Sequence, residues 1–172
     1  MEAKKINEVL LSAYRKLNLT TPLYIDCGEL CDHYCCQGDD SGMWLLPGEQ
    51  ELLQNEPGYR FVKNETDTVL ICADTCRREM RPYACRIFPL FPLVKLREDR
   101  EGYNIELIID PIARRICPLA QSEIHLRPMF RYLVRKVTRE LLKDPDICAW
   151  FVDHSQFLEG LNDIYHSLKS DH

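Results

Sequence analysis

Residues 27–36 read CGELCDHYCC, and this short run decides how the rest of the fold is interpreted. Its cysteines are Cys27, Cys31, Cys35 and Cys36. The first three recur every fourth residue, and on a helix that spacing places side chains on one face, with Cβ atoms about 5–6 Å apart. Gly28 disfavours a regular helix at this point, so we expect a single turn of helix within a loop.

Cys35 and Cys36 are adjacent, which restricts how both thiols can be used. Neighbouring side chains point to opposite faces of a strand and diverge by about 100° around a helix. We therefore expect the two thiols to serve different roles, each facing its own site or one being spare. Together with the cysteines further along, they make eight candidate ligands, enough for two four-cysteine sites. The eight are Cys27, Cys31, Cys35, Cys36, Cys72, Cys76, Cys85 and Cys117.

The composition is that of an ordinary soluble protein. The chain has 172 residues, of which 45% are hydrophobic and 28% charged, so one domain can bury a core without disulfide support. The formal net charge is −5. An acidic chain does not attract polyanions by its overall charge, so we expect no nucleic-acid partner.

The cysteine chemistry depends on the compartment. The first 18 residues lack the unbroken apolar stretch and cleavage site of a secretory signal, and no apolar run is long enough to span a membrane. We therefore expect a cytoplasmic protein that is not embedded in a membrane. Cytosolic thiols stay reduced, so dense cysteines there indicate metal or redox chemistry. The nine cysteines are also an odd number, which a fully disulfide-paired monomer cannot use up.

The hydrophobic periodicity predicts helices at both ends of the chain and strands between them. The predicted helices cover 3–18, a short stretch from Pro47 to Gln54, and two C-terminal segments separated by 143–145; the predicted hairpins pair 59–63 with 68–73 and 90–97 with 103–109. Asp144 or Asp146 is expected to cap the last helix.

The fold class that follows is α+β in a single domain over 1–172. We expect a cysteine-rich, metal-centred front with β-hairpins over 26–120. We expect this front to pack against the N-terminal helix and against two C-terminal helices within 122–170.

Reduced thiolate sets select zinc or iron–sulfur clusters. The three-residue gaps within 27–36 fall inside the range of four-cysteine zinc sites. Iron–sulfur sites also use bunched cysteines with a distant one followed by proline, which Cys117-Pro118 matches. We favour an iron–sulfur cluster and keep zinc as the alternative. Structural disulfides or inert core thiols are the simpler reading of the same residues.

Several other residues were assigned from their surroundings. Cys148 lies in an apolar helical stretch and is expected to be a buried free thiol, and His33 is expected to be a loop histidine bonded to backbone rather than a ligand. Pro82 and Pro89 bracket Cys85 and would fix its direction. Four acidic residues are expected on the solvated surface: Asp39, Asp40, Glu49 and Glu51.

Basic residues cluster near the later cysteines. They either offset the negative charge of metal-bound thiolates and donate hydrogen bonds to sulfur, or form a solvated basic surface. The residues are Arg77, Arg78, Arg81, Arg86, Arg114 and Arg115.

These motifs together resemble the YkgJ-type cysteine-cluster family, which is described by its CxxCxxCC motif as zinc- or iron-chelating. The resemblance covers about residues 26–120 and is carried by the cysteine run, Cys72 and Cys76, the stretch RPYACRIFPL at 81–90, Cys117-Pro118-Leu119, and DSGMWLLPGE at 40–49. Here both gaps before the double cysteine are three residues rather than two. The resemblance implies cysteine-bound metal and little about activity.

Three functional hypotheses follow. The first is a metal-binding protein that holds an iron–sulfur cluster or zinc, with a redox or metal-handling role. The second is a protein-modifying enzyme that uses the centre, such as a methylase-like group transferase, by analogy with flagellin lysine methylases of similar cysteine motif. The third is a structural zinc module for contact with a protein partner. No sequence feature indicates a substrate, an electron partner or an oligomeric state.

Overall fold

The computed structural model describes residues 2–36, 42–64, 67–73, 77–98, 101–121 and 125–170. Its helices are α1 Glu2–Leu17, α2 Cys27–Leu30, α3 Glu49–Leu53, α4 Tyr83–Ile87, α5 Ala113–Ile116, α6 Pro118–Gln121, α7 Pro128–Leu141 and α8 Pro145–Ser170. Its strands are β1 Met43–Trp44, β2 Tyr59–Lys63, β3 Thr68–Cys72, β4 Leu90–Leu96 and β5 Tyr103–Ile109. This mixture of helix and strand confirms the α+β class.

One sheet carries a candidate ligand at the end of a strand. Its order is β1-β3-β2, with antiparallel neighbours, and the β2–β3 register runs from Tyr59 opposite Cys72 to Lys63 opposite Thr68. The predicted first hairpin is therefore confirmed. Strand β1 was not predicted, because two residues are too few to show a period of two.

The second hairpin is also confirmed, with Leu90 opposite Ile109 and Leu96 opposite Tyr103. The first five residues of β4 are buried, and the strand packs against α8. Because one hydrophobic cluster includes side chains from both this hairpin and the terminal helices, the strands are anchored to the helical part of the molecule.

The terminal helices supply much of the core. α1 packs against α7, and the apolar stripe of α7, which includes Phe130, Val134 and Val137, is fully buried. The Asp144 carboxylate accepts hydrogen bonds from the backbone N–H groups of Asp146 (3.1 Å) and Ile147 (3.2 Å), so it caps α8. Within the part of the chain described, no helix is both long and apolar enough to cross a bilayer.

Candidate metal centre

The segment 27–36 folds as a tight loop around one helical turn, as predicted. Asp26 caps α2 by accepting a hydrogen bond of 3.0 Å from the N–H of Gly28. Asp32 and His33 then adopt left-handed backbone conformations (φ 50° and 53°), which turn the chain back. The segment ends in a 3₁₀ turn over Tyr34–Cys36.

Gly28 makes room for the His33 ring, which lies against its Cα atom. A Cβ atom on Gly28 would come within 2.5 Å of His33 Nδ1. The backbone N–H of His33 also donates a hydrogen bond of 2.8 Å to the Gly28 carbonyl. His33 thus closes the loop on itself.

Cys85 is positioned by α4, the short helix that lies between the two predicted prolines. Pro82 precedes the helix and Pro89 follows it by two residues. The first backbone N–H of the helix, that of Tyr83, donates to the Glu49 carboxylate. A buried carboxylate therefore caps the helix that carries a candidate ligand.

The surface assignment of Glu49 was wrong. Its side chain is completely buried and also accepts hydrogen bonds from the Tyr14 hydroxyl and from the N–H of Leu46 at 2.8 Å. Burial raises the pKa of Glu49, and the hydrogen bonds partly oppose that shift. The partners lie as far as 35 residues away in sequence, so no local pattern reveals them. Of the other acidic residues, Glu51 is exposed as predicted, and 39–40 lie outside the described residues.

Four cysteines line one cavity of about 110 Å³, which we call the thiol cavity. They come from three separate segments of the chain: the 3₁₀ turn, the end of β3, and α4. The four are Cys35, Cys36, Cys72 and Cys85. The expected separation of Cys35 and Cys36 is not seen, since their thiols are in hydrogen-bonding contact and line the same cavity. The predicted divergence applies to regular helices and strands, whereas these residues form a single 3₁₀ turn.

Cys27, Cys31 and Cys117 form a second group next to the first. The Cys31 thiol donates to the Cys27 carbonyl oxygen at 3.4 Å. Both Cys117 and Cys31 raise the pKa of Cys27, and Cys31 also raises that of Cys35. Cys85 additionally lines a smaller cavity of about 30 Å³ with Cys27. The two groups are therefore electrostatic neighbours.

The pKa values of three of these thiols, Cys27, Cys35 and Cys117, are raised, mainly by burial and hydrogen bonding. Burial, followed by the charges of Asp26, Cys117 and Cys31, raises the pKa of Cys27 to about 11. The hydrogen bond with Cys36, followed by burial, raises the pKa of Cys35 far above its ordinary value. A metal cation would reverse this effect, because it stabilises thiolates and displaces their protons.

The described thiols do not converge on a single point. Within the described ranges, no group of three or more histidine, cysteine, aspartate or glutamate side chains is arranged to hold a metal ion. Cys76, the remaining candidate of the eight, lies outside those ranges. The donor set itself fits a soft metal, since each described candidate is a cysteine and four of them share one cavity.

The arginines divide between structural roles and the cavity. Arg86 is buried, lies over the Tyr14 ring at 3.9 Å and donates to the carbonyl oxygens of Arg81 (2.6 Å) and Glu79 (2.7 Å). It therefore holds the backbone in place. Arg81 lines the thiol cavity and lowers the pKa of Cys27, which is the effect expected of a cation that offsets thiolate charge.

Arg77 and Arg78, like Arg86, do not line the thiol cavity. Arg77 forms a bidentate pair with Glu56, with hydrogen bonds of 2.8 and 2.7 Å. Arg78 donates to the carbonyl oxygen of Thr20 at 2.7 Å and lies 3.7 Å from the Asp26 carboxylate. Arg115 lines the thiol cavity, but its neighbour Arg114 is not among the residues that form that wall.

Cys148 is a buried free thiol in α8, as predicted, and does not line the thiol cavity.

Comparison of the chain with protein-family models, with curated proteins and with solved structures found no match. The resemblance to the YkgJ-type family therefore stays a prediction.

Proposed function

We propose that this protein binds a metal centre through its clustered cysteines, an iron–sulfur cluster in preference to zinc. The observation that carries the proposal is the thiol cavity, where cysteines from three separate segments line one space beside a cationic side chain. The resemblance to the YkgJ-type family supports the same assignment.

The size of the cavity favours a cluster. The thiol cavity has about 110 Å³ and is lined by hydrophobic residues and two arginines as well as by the four cysteines. A single zinc ion bound by four sulfurs at about 2.3 Å would fill only part of that space, whereas a cluster of several iron and sulfide ions would fill more of it. We assign Cys35, Cys36, Cys72 and Cys85 as the first ligands. Cys27, Cys31 and Cys117, with Cys76, are the candidates for a second centre.

A bound cluster would supply one-electron redox chemistry, and the protein would tune it through charge and hydrogen bonds to sulfur. Arg81 lines the cavity and lowers the pKa of Cys27, so its charge would help to offset the negative charge of the centre. The thiols themselves would supply the ligands after losing their protons, so we expect metal affinity to rise with pH.

The test is anaerobic purification followed by metal and sulfide analysis and a visible spectrum. Cys85→Ser should lose most of the bound metal, whereas Cys148→Ala, which removes a cysteine outside the cavity, should retain it. A colourless protein that holds stoichiometric zinc and takes up no iron or sulfide would reject the cluster in favour of zinc. Absence of any stoichiometric metal, or equal metal loss in both variants, would overturn the proposal.

A second candidate is an enzyme that acts next to the centre, because an apolar pocket of about 200 Å³ adjoins the thiol cavity. We call it the aromatic pocket. It shares part of its wall with the thiol cavity, and an enzyme that uses the metal needs a substrate space of this kind. The shared residues are Gly42, Met43, Phe88, Ile112 and Arg115.

A further inference from the structure

The aromatic pocket has the features of a ligand site in its own right. Five aromatic side chains, contributed by β1, α4, β4, α8 and the α4–β4 connection, form much of its lining. They are Trp44, Tyr83, Phe88, Phe91 and Trp150. Such rings hold another ring by offset stacking and edge-to-face contacts, which favours a planar aromatic occupant over an aliphatic one.

The volume indicates a small molecule. An apolar cavity of about 150 Å³ is large enough for benzene, and the aromatic pocket has about 200 Å³. One aromatic ring with a short substituent therefore fits.

The charged groups of the lining determine the substituent. Arg115 is exposed at the wall shared by the two cavities, and its guanidinium has no ion pair or hydrogen bond with another residue of the described ranges. A guanidinium can bind a carboxylate through two parallel hydrogen bonds. The other charged residue of the lining, Asp110, is buried and accepts a 2.8 Å hydrogen bond from the N–H of Ile112. Its carboxylate would repel a second anionic group.

We propose that the aromatic pocket binds a small aromatic monocarboxylate, with the ring among the aromatic side chains and the carboxylate on Arg115. The carboxylate end would then lie at the wall of the thiol cavity. This inference does not depend on a metal being bound. If the metal centre is catalytic, a small aromatic monocarboxylate is the class of substrate that the neighbouring pocket would accept.

Tryptophan fluorescence provides a direct test, because both tryptophans of the chain line the pocket. The full-length protein would be titrated with benzoate, and with benzamide as the neutral ligand of the same shape. We expect saturable binding of benzoate, with benzamide weaker by about tenfold or more. Cyclohexanecarboxylate, which keeps the charge but lacks the aromatic ring, should also bind several-fold more weakly.

The variants locate the site. Arg115→Gln should weaken benzoate binding by about tenfold and remove the preference over benzamide, whereas the adjacent Arg114→Gln should bind as the wild type does. Ala84→Leu, which fills part of the pocket, should abolish binding of each ligand. Circular dichroism would establish that each variant is folded.

The outcomes separate this inference from the proposed metal function. Benzoate that does not saturate the fluorescence change, equal affinity for benzoate and benzamide, or equal affinities of Arg115→Gln and Arg114→Gln would each overturn it. Equal binding of cyclohexanecarboxylate would overturn the aromatic class. A metal-free chain that binds benzoate supports the inference, while failure to load metal counts only against the metal centre.

Discussion

The cysteine-rich face, which comprises 27–36 and the lining of the thiol cavity, is stabilised differently from the terminal helices. α7 and α8 are long helices, and the apolar stripe of α7 is buried against the rest of the core. The segment 27–36 is a chain of short turns held by a cap, two left-handed residues and a ring packed on a glycine. Core burial stabilises the first region, while the second depends on a few local contacts and, in our proposal, on a metal. Their responses to perturbation should therefore differ.

Removal of the metal should produce the largest difference between the two regions. Structural zinc contributes about 10–16 kcal/mol of binding free energy in small domains. We expect a chelator to make 27–36 sensitive to limited proteolysis, while the far-ultraviolet helical signal largely persists. The two signals would be followed in the same sample. Complete loss of helix would instead favour a structural zinc module. An unchanged cleavage pattern would contradict the claim that 27–36 depends on a metal for its stability.

Glu49→Ala should be the most damaging single change away from the thiols. It leaves the Tyr14 hydroxyl and the N–H groups of Leu46 and Tyr83 buried without their acceptor, and we expect a loss of about 3–5 kcal/mol in the free energy of unfolding. Urea unfolding would measure it. Glu51→Ala, at an exposed position of the same helix, is the matched control and should change stability by less than about 0.5 kcal/mol.

Asp110→Asn should change how stability depends on pH. Burial raises the pKa of Asp110 to about 6, above the value of about 3.9 expected in the unfolded chain. The folded state holds this proton more tightly than the unfolded state. Asp110 therefore contributes fully to the free energy of unfolding below about pH 4, and that contribution is lost as the pH rises through about 6. The loss is about 3 kcal/mol.

Asparagine does not titrate, so the stability of the variant relative to the wild type should rise by about 2–3 kcal/mol between pH 4 and pH 7. Urea unfolding of metal-free protein at both pH values would measure it. A constant difference between the two proteins at both pH values would contradict the assignment.

Asp144→Ala should have the smallest effect and should act only on the helical side. Loss of the cap of α8 costs about 1 kcal/mol in the free energy of unfolding. Metal content should stay at the wild-type level, since the cap lies outside the cysteine-rich face. A parallel loss of metal would show that the terminal helices and the cysteine-rich face are not stabilised independently. Thermal unfolding and metal analysis of one preparation would measure both quantities.

The parts of the fold with a repeating pattern were predictable. The N-terminal helix, the pair of C-terminal helices and both hairpins appear where the hydrophobic periodicity placed them, because each pattern arises from residues that are close in sequence. Strand β1 is too short to show a period. Glu49 resembled a surface glutamate because its burial depends on Tyr14 and Tyr83, which are distant in sequence.

For the candidate site, the sequence by itself determined the set of cysteines, from which we propose a soft metal centre. Only the tertiary structure decided that Cys35, Cys36, Cys72 and Cys85 share a cavity, and that aromatic side chains from separate elements build a pocket beside it. Spacing along a chain specifies side-chain direction over one or two turns. The packing of strands and helices decides which segments meet. This packing depends on contacts between residues that are far apart in sequence.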